Sequence, residues 1–243
     1  LPEEKQSLLF SATFSDPIRT LAKTMLQNPI EVDVAAKNSA AETVQHHLHP
    51  VDKKQKSRLL SHLIQEKGWT QVLVFTKTKH GANRLVKDLG KRKICAMPIH
   101  GNKSQAQRTK ALADFKRGKV DILVATDIAA RGLDIVQLPL VVNFDLPHVA
   151  EDYVHRIGRT GRAGNKGQAI SLVSADEIKQ LQGIERLINR HLHREEVEGF
   201  EPDHALPESR PIVNKEKSSK VTKLAGKKKS NRRSRWSKRT NQR

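Results

Sequence analysis

Short, almost uninterrupted apolar runs are the feature of this sequence that most restricts its fold. Five of them occur between residues 44 and 200, at Val72–Phe75, Cys95–Ile99, Ile122–Ala125, Leu140–Phe144 and Ala169–Val173. Runs of this length and composition are typical of strands that are covered on both faces. Amphipathic stretches alternate with them, at Lys53–Glu66, His80–Leu89, Ser104–Arg117, Ala150–Ile157 and Asp176–His191. The alternation predicts an α/β fold, a mostly parallel sheet with helices on both faces.

The first 35 residues have a different organisation. They contain strand-like runs at Leu8–Phe10 and Ile30–Val34 and one helical stretch, Asp16–Leu26, between them. Three short elements are too few to bury a core of their own. We therefore expect residues 1–35 to be the last part of a preceding domain, residues 36–43 to be a linker, and residues 44–200 to be a second domain. The first residue is Leu1 rather than Met, which also favours a piece of a longer protein.

Positive charge is concentrated at the C-terminus. The chain has a formal net charge of +19, and from Leu206 to the end there are 14 Lys or Arg against 2 acids. That segment has too few apolar residues to offset its chain entropy, so we predict a disordered basic tail over residues 201–243. Such a charge favours a polyanionic partner. The plain alternative is a solvated charge run that aids solubility.

Composition limits which covalent links, metal sites and cellular locations are possible. Cys95 is the only cysteine, which excludes an intrachain disulfide and a cysteine-based zinc site. No apolar run reaches the length of a membrane span, and we expect a cytoplasmic protein without a membrane partner. His47 and His49 would share one face of a strand, but no further ligands lie nearby, so we favour a polar strand face over a metal site.

Polar groups follow four of the predicted strands, where ligands of open parallel sheets collect. These groups are Thr76, Thr78, His100, Gly101, Thr126, Asp127 and Asp145. Asp127 could be a Mg²⁺ ligand, a ribose acceptor or a salt-bridge partner, for instance in an i,i+4 pair with Arg131. The residues alone do not choose among these roles.

The stretch Ser104–Arg117 predicts a helix with an unusual first turn. Arg108 lies on the same helical face as Ala111, Leu112 and Phe115, and Gln105 lies beside it. A cation in the first turn opposes the helix dipole, at a cost of about 0.3–1 kcal/mol. A bound anion such as a backbone phosphate would offset this cost; the alternative is an arginine that reaches solvent.

The run from His155 to Arg162 is the densest basic signal. His155, Arg159 and Arg162 are spaced i, i+4, i+7, so they would line one face if helical geometry persists. The intervening glycines would let the guanidinium groups approach a phosphate chain closely. A solvated basic turn is the alternative.

Taken together, these segments resemble the motifs of DEAD-box ATP-dependent RNA helicases, in the order of that family. The matching segments are Ser11–Thr13 (motif III), Val74–Thr78 (motif IV), Gln105 with Arg108 (motif IVa), Thr126–Asp134 (motif V) and His155–Arg162 (motif VI). The resemblance covers residues 7 to about 175. The wording at 78–83 is most similar to the bacterial RhlE-type subgroup. The resemblance implies a RecA-like fold and the C-terminal half of such an enzyme.

For the nucleotide, the resemblance implies ATP with Mg²⁺, bound mainly by a first domain that this chain lacks. Arg159 and Arg162 would be the catalytic arginine fingers that reach the γ-phosphate, and Asp134 would contact the ribose. Ser11, Thr13 and His155 would couple the two domains.

For the substrate, the resemblance implies RNA held by its backbone. The residues that would contact it are Thr78, Gly101, Gln105, Arg108 and Thr126. The tail would then be an RNA tether whose contribution depends on salt. Ribosomal and RNA-decay assemblies are the candidate larger partners.

The phosphate-binding half of the family's chemistry is absent from the sequence. No Gly-x-x-x-x-Gly-Lys-Ser/Thr loop occurs, nor any Asp-Glu-Ala-Asp run. We therefore expect this chain alone to be inactive as an ATP hydrolase, although the full-length protein would be an enzyme that unwinds or remodels short RNA duplexes. The alternatives are a non-catalytic RNA-binding or regulatory module and a different type of helicase or DNA translocase.

Overall fold

A sheet of seven strands organises the part of the chain that the structure describes. The computed structural model describes residues 2, 5–11, 16–32, 44–132, 135, 137–161 and 167–209. The strands are β1 (Val44–Pro50), β2 (Val72–Phe75), β3 (Ala96–Ile99), β4 (Ile122–Ala125), β5 (Leu140–Asn143), β6 (Gly167–Val173) and β7 (His193–Arg194). They lie in the order β3-β4-β2-β5-β6-β1-β7, and all pairings are parallel. The sheet confirms the predicted fold class.

Helices connect the strands and cover both faces. They are α1 (Asp16–Met25), α2 (Lys56–Lys67), α3 (Lys79–Lys91), α4 (Gln105–Lys116), α5 (Asp127–Ala130), α6 (Ala150–Ile157) and α7 (Ile178–Ile188). A 3₁₀ turn, Ala175–Glu177, precedes α7. One core contains α2, α3 and one face of β2, β4, β5 and β6; the opposite face carries separate clusters under α4 and under α6 with α7.

The central strands are apolar throughout because both of their faces are buried. All four residues of β2, β4 and β5 are buried, and each strand pairs with a neighbour on both sides. Strand order reverses at β2, because β4 lies on one side of it and β5 on the other. In parallel sheets the crevice beyond the carboxyl ends at such a reversal is the usual ligand position.

The N-terminal segment does not add strands to this sheet. Leu8–Phe10 and residues 30–32, predicted as strands, are without regular structure, whereas α1 forms close to its predicted bounds. A strand needs a neighbour for its backbone N–H and C=O groups, and the described part of the chain offers these runs none. The strand prediction was wrong for Leu8–Phe10 and for residues 30–32; residues 33–34 of the second run lie outside the described residues.

The packed structure continues beyond residue 200, where the sequence placed the end of the domain. Leu206 is buried with the cluster under α6 and α7, and Phe200 packs against the other core. Arg194 donates hydrogen bonds to the carbonyl oxygens of Leu206 and Pro207 and to Ser209 Oγ. Residues 201–209 therefore pack on the domain; the rest of the predicted tail lies outside the described residues.

Candidate functional site

We call the edge of the sheet where the strands end the carboxyl edge. Arg156 is the largest fully buried side chain there, with 1% of its surface exposed. Its Nε and Nη2 donate to the two carboxylate oxygens of Asp127 at 2.6 and 2.8 Å. Its Nη1 donates to Asn143 Oδ1 at 3.0 Å and to the carbonyl oxygen of Asp145 at 2.7 Å. The guanidinium also lies 4.9 Å from the centre of the Phe75 ring. One side chain thus joins the ends of β4, β2 and β5 at the strand reversal.

A second ion pair links the same two helices nearer the surface. Arg131, the residue after α5, donates from Nη2 to Asp152 Oδ1 of α6 at 2.5 Å. The sequence had left open an i,i+4 pair between Asp127 and Arg131. The structure instead pairs each of them with a residue of α6, because α6 lies alongside α5 at this edge.

The turn after α6 carries Arg159. The helix ends at Ile157, so His155 and Arg159 are not on one continuous helical face as the spacing had suggested. The Arg159 amide donates to the Arg156 carbonyl, and its own carbonyl accepts from Leu138 N. A Cβ at Gly167 would lie 2.3 Å from Gly161 N, so only glycine permits β6 to approach this turn so closely.

The turn at the carboxyl end of β2 is built around Thr78. Thr78 begins α3 as its N-cap, and its Oγ1 accepts from Gly81 N at 3.0 Å. Lys77 N donates to Asp145 Oδ2, which ties this turn to the one after β5. The Thr78 hydroxyl is therefore already engaged in capping, which leaves its O–H hydrogen for a ligand acceptor.

The first turn of α4 has the predicted features. Ser104 and Gln107 form a capping box. Half-buried Arg108 donates to Gln105 Oε1 at 3.2 Å and to the carbonyl oxygen of Ala129 at 3.4 Å, so it joins α4 to α5. No acid lies in this first turn. The positive end of the helix and the guanidinium together favour an anion here.

His100 lies beneath the same edge, next to exposed Gly101. Its Nε2 is 3.0 Å from Asn83 Oδ1 on α3. Burial holds the pKa of His100 below its usual value, and the charges of Lys103, Lys79 and His80 lower it further. His100 is thus a neutral support for the turn that carries Gly101.

The structure brings some of the predicted residues to one edge and leaves others undescribed. Thr78, Gly101, Gln105, Arg108 and Thr126 follow or lie beside the carboxyl ends of strands β2 to β4. His155 is near the end of α6 and Arg159 is in the turn after it, which bonds to Leu138 just before β5. Both residues line a small cavity with Phe75 and Asp127. His155 Nε2 is buried without a hydrogen-bond partner among the described residues. Ser11 is exposed. Thr13, Asp134 and Arg162 lie outside the described residues.

Two absences concern only the part of the chain that the structure describes. It contains no group of three or more His, Cys, Asp or Glu arranged to hold a metal ion. It also contains no helix long and apolar enough to cross a bilayer. His47 and His49 instead contact Glu195, through its carboxylate at 2.9 Å and its carbonyl oxygen at 2.8 Å.

Sequence reasoning missed Arg156 and Asp152. One signal for Arg156 was available, since it lies between Tyr153 and Ile157 on the buried stripe of α6, and all three are buried. Asp152 carried no signal, because its partner Arg131 comes from another strand–helix connection.

Comparisons of the sequence and of the fold with known proteins point to one family. Residues 55–164 match the family model described as "Helicase conserved C-terminal domain". A DEAD-box ATP-dependent RNA helicase CshA from Geobacillus kaustophilus is 45% identical over 194 residues, which is 80% of this chain and 42% of that protein. The chain thus spans about two fifths of the length of this curated relative.

Two solved structures have the same fold. The E. coli DEAD-box protein SrmB, bound to the regulator of ribonuclease activity A, is 34% identical with a TM-score of 0.64, over 68% of this chain and 98% of that one. S. cerevisiae Dbp5 (L327V) bound to RNA and ADP BeF3 is 30% identical with a TM-score of 0.75, over 82% of this chain and 54% of that one.

Proposed function

This chain belongs to the DEAD-box RNA helicases, as their C-terminal helicase domain, and we propose that it grips RNA by its backbone and completes an ATPase site in trans to an ATP-binding domain. The full-length protein would then be an ATP-dependent enzyme that unwinds or remodels short RNA duplexes. This chain would supply Arg159 and Arg162 to the nucleotide and one side of the RNA groove.

One observation carries the proposal. Arg108, which is assigned to RNA, and Arg159, which is assigned to ATP, are linked through α5 and α6 by hydrogen bonds. Arg108 reaches the Ala129 carbonyl of α5, and Arg156 links Asp127 of α5 to the turn that holds Arg159. Phosphoryl transfer depends mainly on positioning and charge stabilisation, so a fixed frame behind the finger suits that chemistry.

Arg159 supports the phosphate side of the proposed nucleotide site. Arg159 is half-buried, and its backbone is held on both sides by the bonds to Arg156 and Leu138. A guanidinium on a fixed backbone can stabilise charge on a phosphate without reorganising first. In the proposal Arg162 and Asp134 also contact the nucleotide, and ATP with Mg²⁺ is held mainly by the other domain.

We further propose that residues 1–35 complete that other domain. Leu8, Phe10, Ile30 and Val32 are 67–90% exposed. Four large apolar side chains exposed along one short segment are typical of a surface that another part of a protein covers. Residues 36–43 would then connect the two domains.

The test of the finger assignment is Arg159→Ala in the full-length protein. RNA-stimulated ATP turnover should fall by roughly 10³-fold or more, while RNA binding changes little, because fingers contribute about 10³–10⁵ in rate. Arg190→Ala, at an exposed position after α7, is the matched control. Near-normal turnover in Arg159→Ala would refute the proposal.

The basic tail is proposed as a sequence-independent RNA tether. Because residues 206–209 contact Arg194, the deletion that tests the tether should begin at Arg210. That segment has 14 Lys or Arg and one Glu, a net charge of +13. Its loss should weaken RNA binding and flatten the dependence of log affinity on log salt. An unchanged salt slope in the truncated protein would contradict the tether.

The finer assignments also remain proposals. We propose RhlE-type membership on the wording at 78–83, although the curated relative described above is named CshA. Ribosomal or RNA-decay assemblies and a cytoplasmic setting are proposed on the family alone. Co-purification of tagged full-length protein with ribosomal or ribonuclease components would test the assemblies.

A further inference from the structure

A cavity of about 690 Å³ lies on the face of the sheet that α2 covers, beside β1 and β6. Side chains of a strand alternate between its two faces, so His47 and His49 of β1 lie opposite to Leu48, which is buried under α6 and α7. The C-terminal half of α2 and residues 195–198, which follow β7, form the walls. Among the described residues, none that is assigned above to RNA or to ATP lines this cavity.

The walls of the cavity are acidic, although the chain as a whole is basic. The lining contains one lysine, Lys67, and four acids: Glu66, Glu195, Glu196 and Glu198. Glu66 pairs with Lys67, and Glu195 pairs with His47. Glu196 and Glu198 are exposed and have no ion-pair partner among the described residues. The chain has 45 Lys or Arg against 26 acids, so two neighbouring carboxylates without a cation favour a cation that comes from a ligand.

A buried histidine adds a further acceptor to the cavity. His49 is 6% exposed, and its Nδ1 lies 2.8 Å from the Glu195 carbonyl oxygen. Because a carbonyl oxygen only accepts, Nδ1 carries a hydrogen, and Nε2 of the neutral ring is then an acceptor. Burial lowers the pKa of His49, which favours the neutral ring. Nε2 has no hydrogen-bond partner among the described residues and, unlike Nε2 of His155, it is not sealed from solvent.

Apolar side chains complete the lining. Trp69 is half-buried and packs against the core, and it also lines the cavity. Buried Leu63 and Ile170 line it as well. A cation is attracted to the face of an indole ring, and apolar surface suits the methylene stem of a long basic side chain.

From these features we propose that the cavity binds an arginine side chain within a basic peptide segment of a partner protein. The unpaired groups, two carboxylates and one imidazole nitrogen, are all acceptors, so the occupant must bring donors and positive charge. A guanidinium has five donors in one plane and can serve acceptors in several directions while it stacks on Trp69, whereas an ammonium is a point charge. The volume exceeds that of one side chain and leaves room for neighbouring peptide residues. This inference goes beyond the proposed function and does not depend on it.

The experiment measures the fluorescence anisotropy of a labelled Gly/Ser peptide with a central Arg-Gly-Arg, titrated with the purified chain. The net charge of +19 opposes non-specific binding of such a peptide. Glu196→Gln/Glu198→Gln should weaken binding by roughly 5-fold or more, because one exposed ion pair contributes up to a factor of about 5. Citrulline in place of both peptide arginines keeps the shape without the charge and should abolish binding. Unweakened binding in either case would overturn the proposal.

Trp69 reports whether the peptide occupies this cavity. Trp69 and Trp236 are the two tryptophans of the chain, so only Trp69 remains in Trp236→Phe. In that variant the tryptophan emission should change over the same range of concentrations as the anisotropy. A rise in anisotropy without a change in Trp69 emission would place the peptide elsewhere and overturn the proposal.

The matched control is Asp203→Asn/Glu208→Gln, which removes the same charge at exposed positions outside the cavity. Peptide affinity should stay within roughly twofold, because salt screens charges that the peptide does not contact. A loss equal to that of Glu196→Gln/Glu198→Gln would indicate a general effect of surface charge and overturn the proposal.

Two further ligands separate arginine from other cations. A peptide with Lys-Gly-Lys should bind more weakly, because an ammonium lacks the planar fork. Spermidine should displace the labelled peptide less effectively than the unlabelled peptide does. Equal affinity of the lysine peptide would overturn the assignment to arginine, and displacement by spermidine at lower concentrations than the unlabelled peptide would make a free polyamine the ligand.

Discussion

Two buried cations support the carboxyl edge of this sheet, and they are built differently. Arg156 lies over Phe75 at the strand reversal, between β4 and β5. Lys56 lies at the start of α2, where its Nζ donates to Glu177 Oε2 at 2.5 Å and to the Phe144 carbonyl at 2.9 Å. Both side chains are 1% exposed.

The difference follows from the shape of the two charged groups. The planar guanidinium of Arg156 presents a fork, and it satisfies a carboxylate, an amide and a carbonyl in three directions. The ammonium of Lys56 is a point charge with a single acidic partner. A fork fixes the relative orientation of the groups that it joins, whereas a point charge fixes mainly their distance. Orientation matters most beside Arg159, and the fork occurs there.

The largest expected effect comes from Arg156→Ala. The Asp127 carboxylate would lose two hydrogen bonds from Arg156, and Asn143 and the Asp145 carbonyl would each lose a donor. Removal of one partner from a buried ion pair costs about 3–5 kcal/mol in the free energy of unfolding. Because the Asp127 side chain is 26% exposed, we expect a loss near the lower end of that range. Urea unfolding of the purified chain measures it, and Arg156→Lys should recover little of the loss. Full recovery by lysine would show that charge alone, and not the fork, is required here.

A smaller loss is expected from Lys56→Met. Glu177 would keep hydrogen bonds from Leu146 N, Ser174 N and Ser174 Oγ, so its charge would remain partly compensated. The methionine would fill most of the space of the lysine stem. We expect a loss of about 1–2 kcal/mol in the free energy of unfolding, again by urea unfolding. A cost as large as that of Arg156→Ala would remove the distinction between the two cations.

These two cations also mark the limit of what the sequence could predict. The central strands β2, β4 and β5 were recognised within one residue, because burial on both faces leaves an uninterrupted apolar run. Strand β1 gave no such run: His46 bonds Tyr153 Oη at 2.7 Å and His49 bonds the Glu195 carbonyl, so polar side chains fill buried positions there. Helix α5 has only four residues, which is too short for a helical period.

The sequence predicted which residues belong to the site, but not the hydrogen bonds that join them. The edge that carries Thr78, Arg108 and Thr126 follows from the rule that ligands collect at carboxyl ends. The environment of Arg156 does not follow, because its partners Asp127, Asn143 and Asp145 come from separate strand ends. Only the strand order brings them together.

The smallest expected effect concerns His49, a buried ionisable group without a permanent charge. Unlike the two cations, it has a backbone carbonyl as its closest partner, that of Glu195 at 2.8 Å. Burial lowers the pKa of His49 below its usual value of 6.5 more than Glu195 raises it. The unfolded chain therefore binds a proton at His49 at a higher pH than the folded chain does. Its contribution to stability is complete above about pH 6.5 and decreases as the pH falls through the lowered pKa.

The variant that tests this is His49→Gln, because glutamine can still donate to the Glu195 carbonyl. The free energy of unfolding, measured by urea between pH 5 and 7.5, should fall less steeply toward acid than in the unmodified chain. The slope should not vanish, because the pKa of buried His100 is also lowered. His148→Gln, at an exposed position, should leave the slope unchanged. If His49→Gln leaves the slope unchanged as well, the pKa of His49 is the same in the folded and the unfolded chain. The difference between this histidine and the two cations would then need a cause other than burial.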